Sequence, residues 1–149
     1  MKIQMVDTVT QYKAIQAEVD AAVLEVIASG QFIGGPVVNR FRDQLSEYLG
    51  AKHTITCANG TDALQIALMA LGLKAGDEVI TPSFTYIATV EVISLLGLVP
   101  VFVEVDEDTF NIVPEYIEAA ITAKTKAIIP VHLFGQVAPM AEILDIGQR

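Results

Sequence analysis

A chain of 149 residues, 52% apolar and 18% charged, is long enough for one domain with a real core, and points to elements buried on two faces or hidden by a partner. Its net charge of −9 argues against nucleic acid or an anionic membrane as partner, although backbone amides can hold a phosphate without any basic residue. The single cysteine, Cys57, excludes an internal disulfide, suits a reducing cytoplasm, and reads as a packing residue in an apolar strand rather than a nucleophile.

The chain opens on "MKIQMVDTVTQYK", which lacks the apolar core of a signal peptide. Val9 to Ser29 has helical periodicity through Tyr12, Ile15, Val19, Val23, Val26 and Ile27, and Gly30 ends it. The loop "GQFIGGP" leads into a second helix, Val37 to Leu49, which is expected to pack through Val38, Phe41, Leu45 and Leu49 before Gly50 stops it. Strands and helices then alternate. "HTITCA", "DEVITP", "VPVFVEV" and "KAIIPV" read as β-branched strands. Helical stretches lie at Thr61 to Leu71, Phe84 to Leu96 and Pro114 to Ile121, with another at Val137 to Ile146. The longest apolar run, Val92 to Val103, is too short to span a membrane and is interrupted by Gly97 and Pro100. Such alternation predicts an α/β fold: a mainly parallel sheet with right-handed crossovers, covered by helices.

Ligands of such sheets bind in the loops after the strand carboxyl ends. Three loops are candidates: "ANGTDA", "PSFTYIAT" and "VHLFGQ". In the first, Asn59 as N-cap puts Asp62 at the third helical position, close to a capping box that needs no ligand. The same turn could instead hold a phosphate through the amides of Gly60, Thr61 and Asp62, the Thr61 hydroxyl and the helix dipole. That second reading needs the Asp62 carboxylate turned back toward the cap. The pattern alone leaves both open. There is no Walker or GxGxxG fingerprint, so an ordinary nucleotide site is poorly supported.

The second loop offers Ser83 as an N-cap and two aromatics, Phe84 and Tyr86. One is expected in the core; the other could lie flat against a planar ligand, although taken alone an aromatic here is more often core than platform. His132 and Gln136 lie in the third loop, where a lone histidine is more often a hydrogen-bonded structural residue than a catalyst. Asp106, Glu107 and Asp108 fail the EF-hand pattern, because Phe110 and Asn111 occupy a ligand position and the required glycine, and they read as a solvated turn. No metal site is assigned. Asn59-Gly60-Thr61 also matches a glycosylation sequon, which buried-looking flanks make an accidental match.

Together "SGQFIGGP", "CANGTDALQIALMALGLKAGDEVITPSFTYIATVEVI", "PVFVEVDEDTFNI" and "AIIPVHLFGQ" resemble the DegT/DnrJ/EryC1/StrS family along nearly the whole chain. The family's members are pyridoxal 5'-phosphate-dependent aminotransferases of nucleotide-linked keto-sugars, with the fold-type-I, aspartate aminotransferase-like large domain. The resemblance implies that Gly60, Thr61 and Asp62 hold the cofactor phosphate through their amides and that Tyr86 stacks on the pyridine ring. It implies a homodimer, with residues 1–50 forming N-terminal helices and a dimer and active-site loop, and residues 51–149 forming the first part of the cofactor-binding domain; the cytoplasmic location is the expectation from the cysteine usage and the N-terminus. Its partners would be a nucleotide-sugar and an amino-acid donor, in polysaccharide or antibiotic-sugar synthesis. His132 and Gln136 receive no role.

In the family the acid on the pyridine nitrogen comes from an "EDAAQ"-like segment and the Schiff-base lysine from an "SxxK" segment, and this sequence stops at "AEILDIGQR", short of both. Lys2, Lys13, Lys52, Lys74, Lys124 and Lys126 do not match that context. The expectation is an amino-terminal part of an aminotransferase, inactive alone and with no catalytic residue of its own. Family members with histidine in place of the lysine are sugar dehydratases, which stands as one alternative. A non-catalytic regulatory or dimerising role is another.

Overall fold

The computed structural model describes residues 5–149, so Lys2 lies outside the described residues. Two compact units, Met1–Thr56 and Cys57–Arg149, make up the chain. The first contains α1 (Thr8–Ser29) and α2 (Pro36–Leu49). Asp7 caps α1 by accepting the Thr10 amide at 2.9 Å, and Pro36 starts α2 where its missing N–H costs nothing. Gly30 and Gly50 end the two helices in the left-handed conformation that glycine adopts without a Cβ clash. Neither helix buries a residue. Val38, Phe41 and Leu49 are exposed and Leu45 only half-buried, so the expected apolar stripe forms without the packing it predicts.

The second unit is an α/β layer structure. Its three parallel strands are β1 (Glu78–Pro82), β2 (Val99–Val103) and β3 (Thr125–Ile128), in the order β2-β1-β3. The helices are α3 (Gly60–Ala70), α4 (Ala88–Leu95), α5 (Pro114–Ala120) and α6 (Met140–Gln148). Central β1 is buried on both faces, as the period of two requires. Val79 packs with Leu68, Val92, Ile93 and Leu98, on the side of α3 and α4. Ile80 packs with Val103, Ile112, Ile117, Ile143 and Ile146, on the side of α5 and α6. The amide of Gly76, ahead of β1, donates to the Gly97 carbonyl after α4 at 2.9 Å. The exits of α3 and α4 therefore meet at the amino edge of the strands, and both helix entrances face the carboxyl edge.

Several local expectations need correction. "HTITCA", expected as a strand, joins no ladder among the described residues: β1 pairs only with β2 and β3, and neither outer edge of that sheet is paired with it. Cys57 is exposed rather than packed, its thiol donating to the Asn59 carbonyl at 3.3 Å. The helix expected from Phe84 begins only at Ala88, since Ser83 continues the strand instead: its amide donates to Val103 O at 2.8 Å. Ser83 is therefore no N-cap. The last helix starts at Met140, after Pro139, which disfavours helical geometry at Ala138.

Candidate functional site at the carboxyl edge

Asn59 caps α3 through its side chain, whose Oδ1 accepts the Asp62 amide at 2.9 Å. Its Nδ2 donates to Asp62 Oδ2 at 3.2 Å, which draws the carboxylate back toward the cap. The Asp62 amide is thus already engaged. The amides of Gly60 and Thr61 have no hydrogen-bond acceptor among the described residues. A Cβ placed on Gly60 would meet no heavy atom within 4 Å, so the approach to this helix entrance is open. Two free N–H donors, a threonine hydroxyl able to donate a third bond and the positive end of an 11-residue helix dipole make a donor-rich set that fits a phosphate dianion. The residues present suit the phosphate of a cofactor.

Ser83 to Ile87 connect β1 to α4 and lie at the same edge. Ser83 Oγ donates to Glu104 Oε2 at 3.1 Å, and Thr85 Oγ1 lies 3.0 Å from Thr89 Oγ1. Tyr86 is 77% exposed. Phe84, at 51% exposure, is not in the core either, so neither aromatic of this loop takes the buried role expected for one of them. Instead Phe84 meets Phe110 with ring centroids 5.6 Å apart, and Phe110 meets Phe134 edge-on at 6.3 Å. Both distances fall in the favourable range for aromatic pairs.

Phe110 and Phe134 have φ of 57° and 54°, a left-handed geometry that costs a non-glycine residue about 1 kcal/mol or more. Around Phe110 the turn is built by Asp106, whose Oδ1 accepts the amides of Asp108 and Thr109 and the Thr109 hydroxyl at 3.2, 2.8 and 2.9 Å. These bonds, led by the Thr109 amide, hold the Asp106 carboxyl below its ordinary value. In the third loop His132 Nδ1 accepts the Ala138 amide at 3.1 Å, a structural role, while Gln136 contributes its backbone amide to Leu133 O at 3.0 Å. Sequence reasoning overlooked Phe110 and Phe134, because nothing in "DEDTFN" or "HLFG" marks an aromatic at a left-handed position.

The family model for the DegT/DnrJ/EryC1/StrS aminotransferase family matches residues 13–149. The chain belongs to the DegT/DnrJ/EryC1/StrS family. Among this family's curated proteins, UDP-2-acetamido-2-deoxy-3-oxo-D-glucuronate aminotransferase from Pseudomonas aeruginosa is 50% identical over 147 residues, covering 99% of this chain and 41% of that protein. A DegT/DnrJ/EryC1/StrS aminotransferase from Brucella abortus superimposes with a TM-score of 0.95 at 46% identity, over 99% of this chain and 42% of its own. NtdA from Bacillus subtilis, solved with bound cofactor PMP, matches 89% of this chain and 31% of its own with a TM-score of 0.86 at 41% identity. The chain thus spans about two fifths or less of the lengths of these relatives, and its α/β parallel-sheet fold is theirs.

Proposed function

We propose that this chain supplies the phosphate anchor and ring platform of a pyridoxal 5'-phosphate-dependent aminotransferase acting on nucleotide-linked keto-sugars. The observation that carries the reading is the pair of open amides at Gly60 and Thr61, at the same sheet edge as the free ring of Tyr86, in a chain half identical to a UDP-keto-sugar aminotransferase. When bound, the cofactor supplies the electron sink through which an amino group passes from an amino-acid donor to a keto-sugar.

The residues of this chain do the holding. Gly60 and Thr61 donate their amides to phosphate oxygens, with the Thr61 hydroxyl as a third donor and the α3 dipole opposing the negative charge. Asp62 serves through the cap: bonded to Asn59, its carboxylate is kept from repelling the phosphate. Tyr86 lies against the face of the pyridine ring. The protein acts in the cytoplasm as a homodimer; the apolar side chains that α1 and α2 leave exposed, among them Ile15, Val23, Ile27 and Phe41, support the self-association. Among the described residues no helix is long and apolar enough to cross a membrane.

The test is an absorbance titration of the protein with pyridoxal 5'-phosphate. Saturable binding that weakens in Tyr86→Ala is expected. Absence of saturable binding overturns the reading.

A further inference from the structure

We propose that Phe84, Phe110 and Phe134 form an aromatic clasp across the loops that follow β1, β2 and β3, and that this clasp positions the segment that carries the Tyr86 ring. What Tyr86 faces rests on the cofactor reading above; that the clasp restrains the loop carrying it does not. The loop between β1 and α4 is tied residue by residue. Ser83 is held by Val103 and Glu104, Thr85 by Thr89, and the Tyr86 carbonyl accepts the Thr89 amide at 3.1 Å. Phe84 has no polar group on its side chain, and its ring is held by Phe110, itself backed by Phe134. The outcome is a segment restrained on both sides of a tyrosine whose ring stays free, the arrangement that preorganises a binding platform.

The backbone supports a role beyond bulk stability. Glycine or asparagine would take the left-handed positions of Phe110 and Phe134 with less strain, so the aromatic at each is explained by the contact it completes. Phe134 is 85% exposed, so its ring adds little to the core. A stack that costs backbone strain and buries little surface is poorly suited to global stability. Linking the loops that follow β1, β2 and β3 is what it does well.

The test places fluorotyrosine at position 86 and records its fluorine NMR line without cofactor, alongside the dissociation constant for pyridoxal 5'-phosphate and the thermal midpoint. Wild type is expected to give one narrow resonance. Phe110→Ala is expected to broaden or split it and to weaken binding about three- to tenfold. Phe110→Tyr, which keeps the ring, restores both. Should Phe110→Ala fail to fold, Phe134→Ala decides, since its exposed ring can be removed without opening the core. A fluorine line and an affinity left at wild-type values overturn the clasp, as does a shift in thermal midpoint alone. If the wild-type protein binds no pyridoxal 5'-phosphate, the cofactor reading fails, and the fluorine line by itself decides the clasp.

Discussion

Asn59 and Asp62 satisfy one another twice: the Asp62 amide donates to Asn59 Oδ1 at 2.9 Å, and Asn59 Nδ2 donates to Asp62 Oδ2 at 3.2 Å. The pair caps α3 and restrains an acid at the mouth of a candidate anion site. Asn59→Ala is expected to destabilise the protein by about 1 kcal/mol, read from chemical denaturation, and to weaken pyridoxal 5'-phosphate binding by freeing the carboxylate. Asn59→Asp keeps the cap acceptor but sets a second carboxylate where Nδ2 donates to Asp62, so it is expected to lower affinity further, with a loss of stability from like-charge repulsion.

Tyr86 is the converse case. Its ring contributes almost nothing to the fold, so Tyr86→Ala is expected to shift unfolding free energy by no more than about 0.5 kcal/mol. Cofactor affinity is expected to fall about tenfold, whereas Tyr86→Phe retains the stacking face and most of the affinity. Parallel denaturation and binding titrations check both.

Ile93 sits fully buried between the sheet and the α3–α4 layer. Ile93→Ala is expected to cost about 2–5 kcal/mol, because the deleted methyls leave a cavity in a close-packed interior. Leu144 on α6 is exposed, and Leu144→Ala is expected to stay within about 0.5 kcal/mol under the same denaturant series.

Asp106 gives a pH dependence of known sign. Its folded-state carboxyl titrates below the unfolded value of 3.8, so the carboxylate binds protons less readily in the folded protein. Its contribution to stability is therefore full above 3.8 and disappears as pH falls through the lowered folded value. Comparing Asp106→Ala with wild type across that acid range is expected to show a stability gap that closes toward low pH.

Much of the fold is legible because its signals are local. The cap at Asn59, the proline start of α2, the glycine stops at Gly30 and Gly50 and the β-branched strand cores are decided within a few neighbouring residues. The proposed phosphate motif is equally local, since an anion site at a helix entrance needs only successive amides and a glycine that lets the ligand near. Ser83 shows where such reading stops. Its composition suits an N-cap, yet its amide goes to Val103 and its hydroxyl to Glu104, on a neighbouring strand distant in sequence. The same holds for "HTITCA", whose β-branched pattern describes a strand without saying which partner is there to pair with it.

By itself the sequence determined the α/β alternation and the likeness to its family, since these depend on patterns of adjacent residues. The tertiary structure decided that Asp62 is turned back by Asn59, that Cys57 is exposed, that His132 serves Ala138, and that three phenylalanines from three loops meet. Those outcomes are set by which groups come within hydrogen-bond or van der Waals reach after the sheet assembles. Such distances come from the path of the whole chain, and no local window of residues contains them.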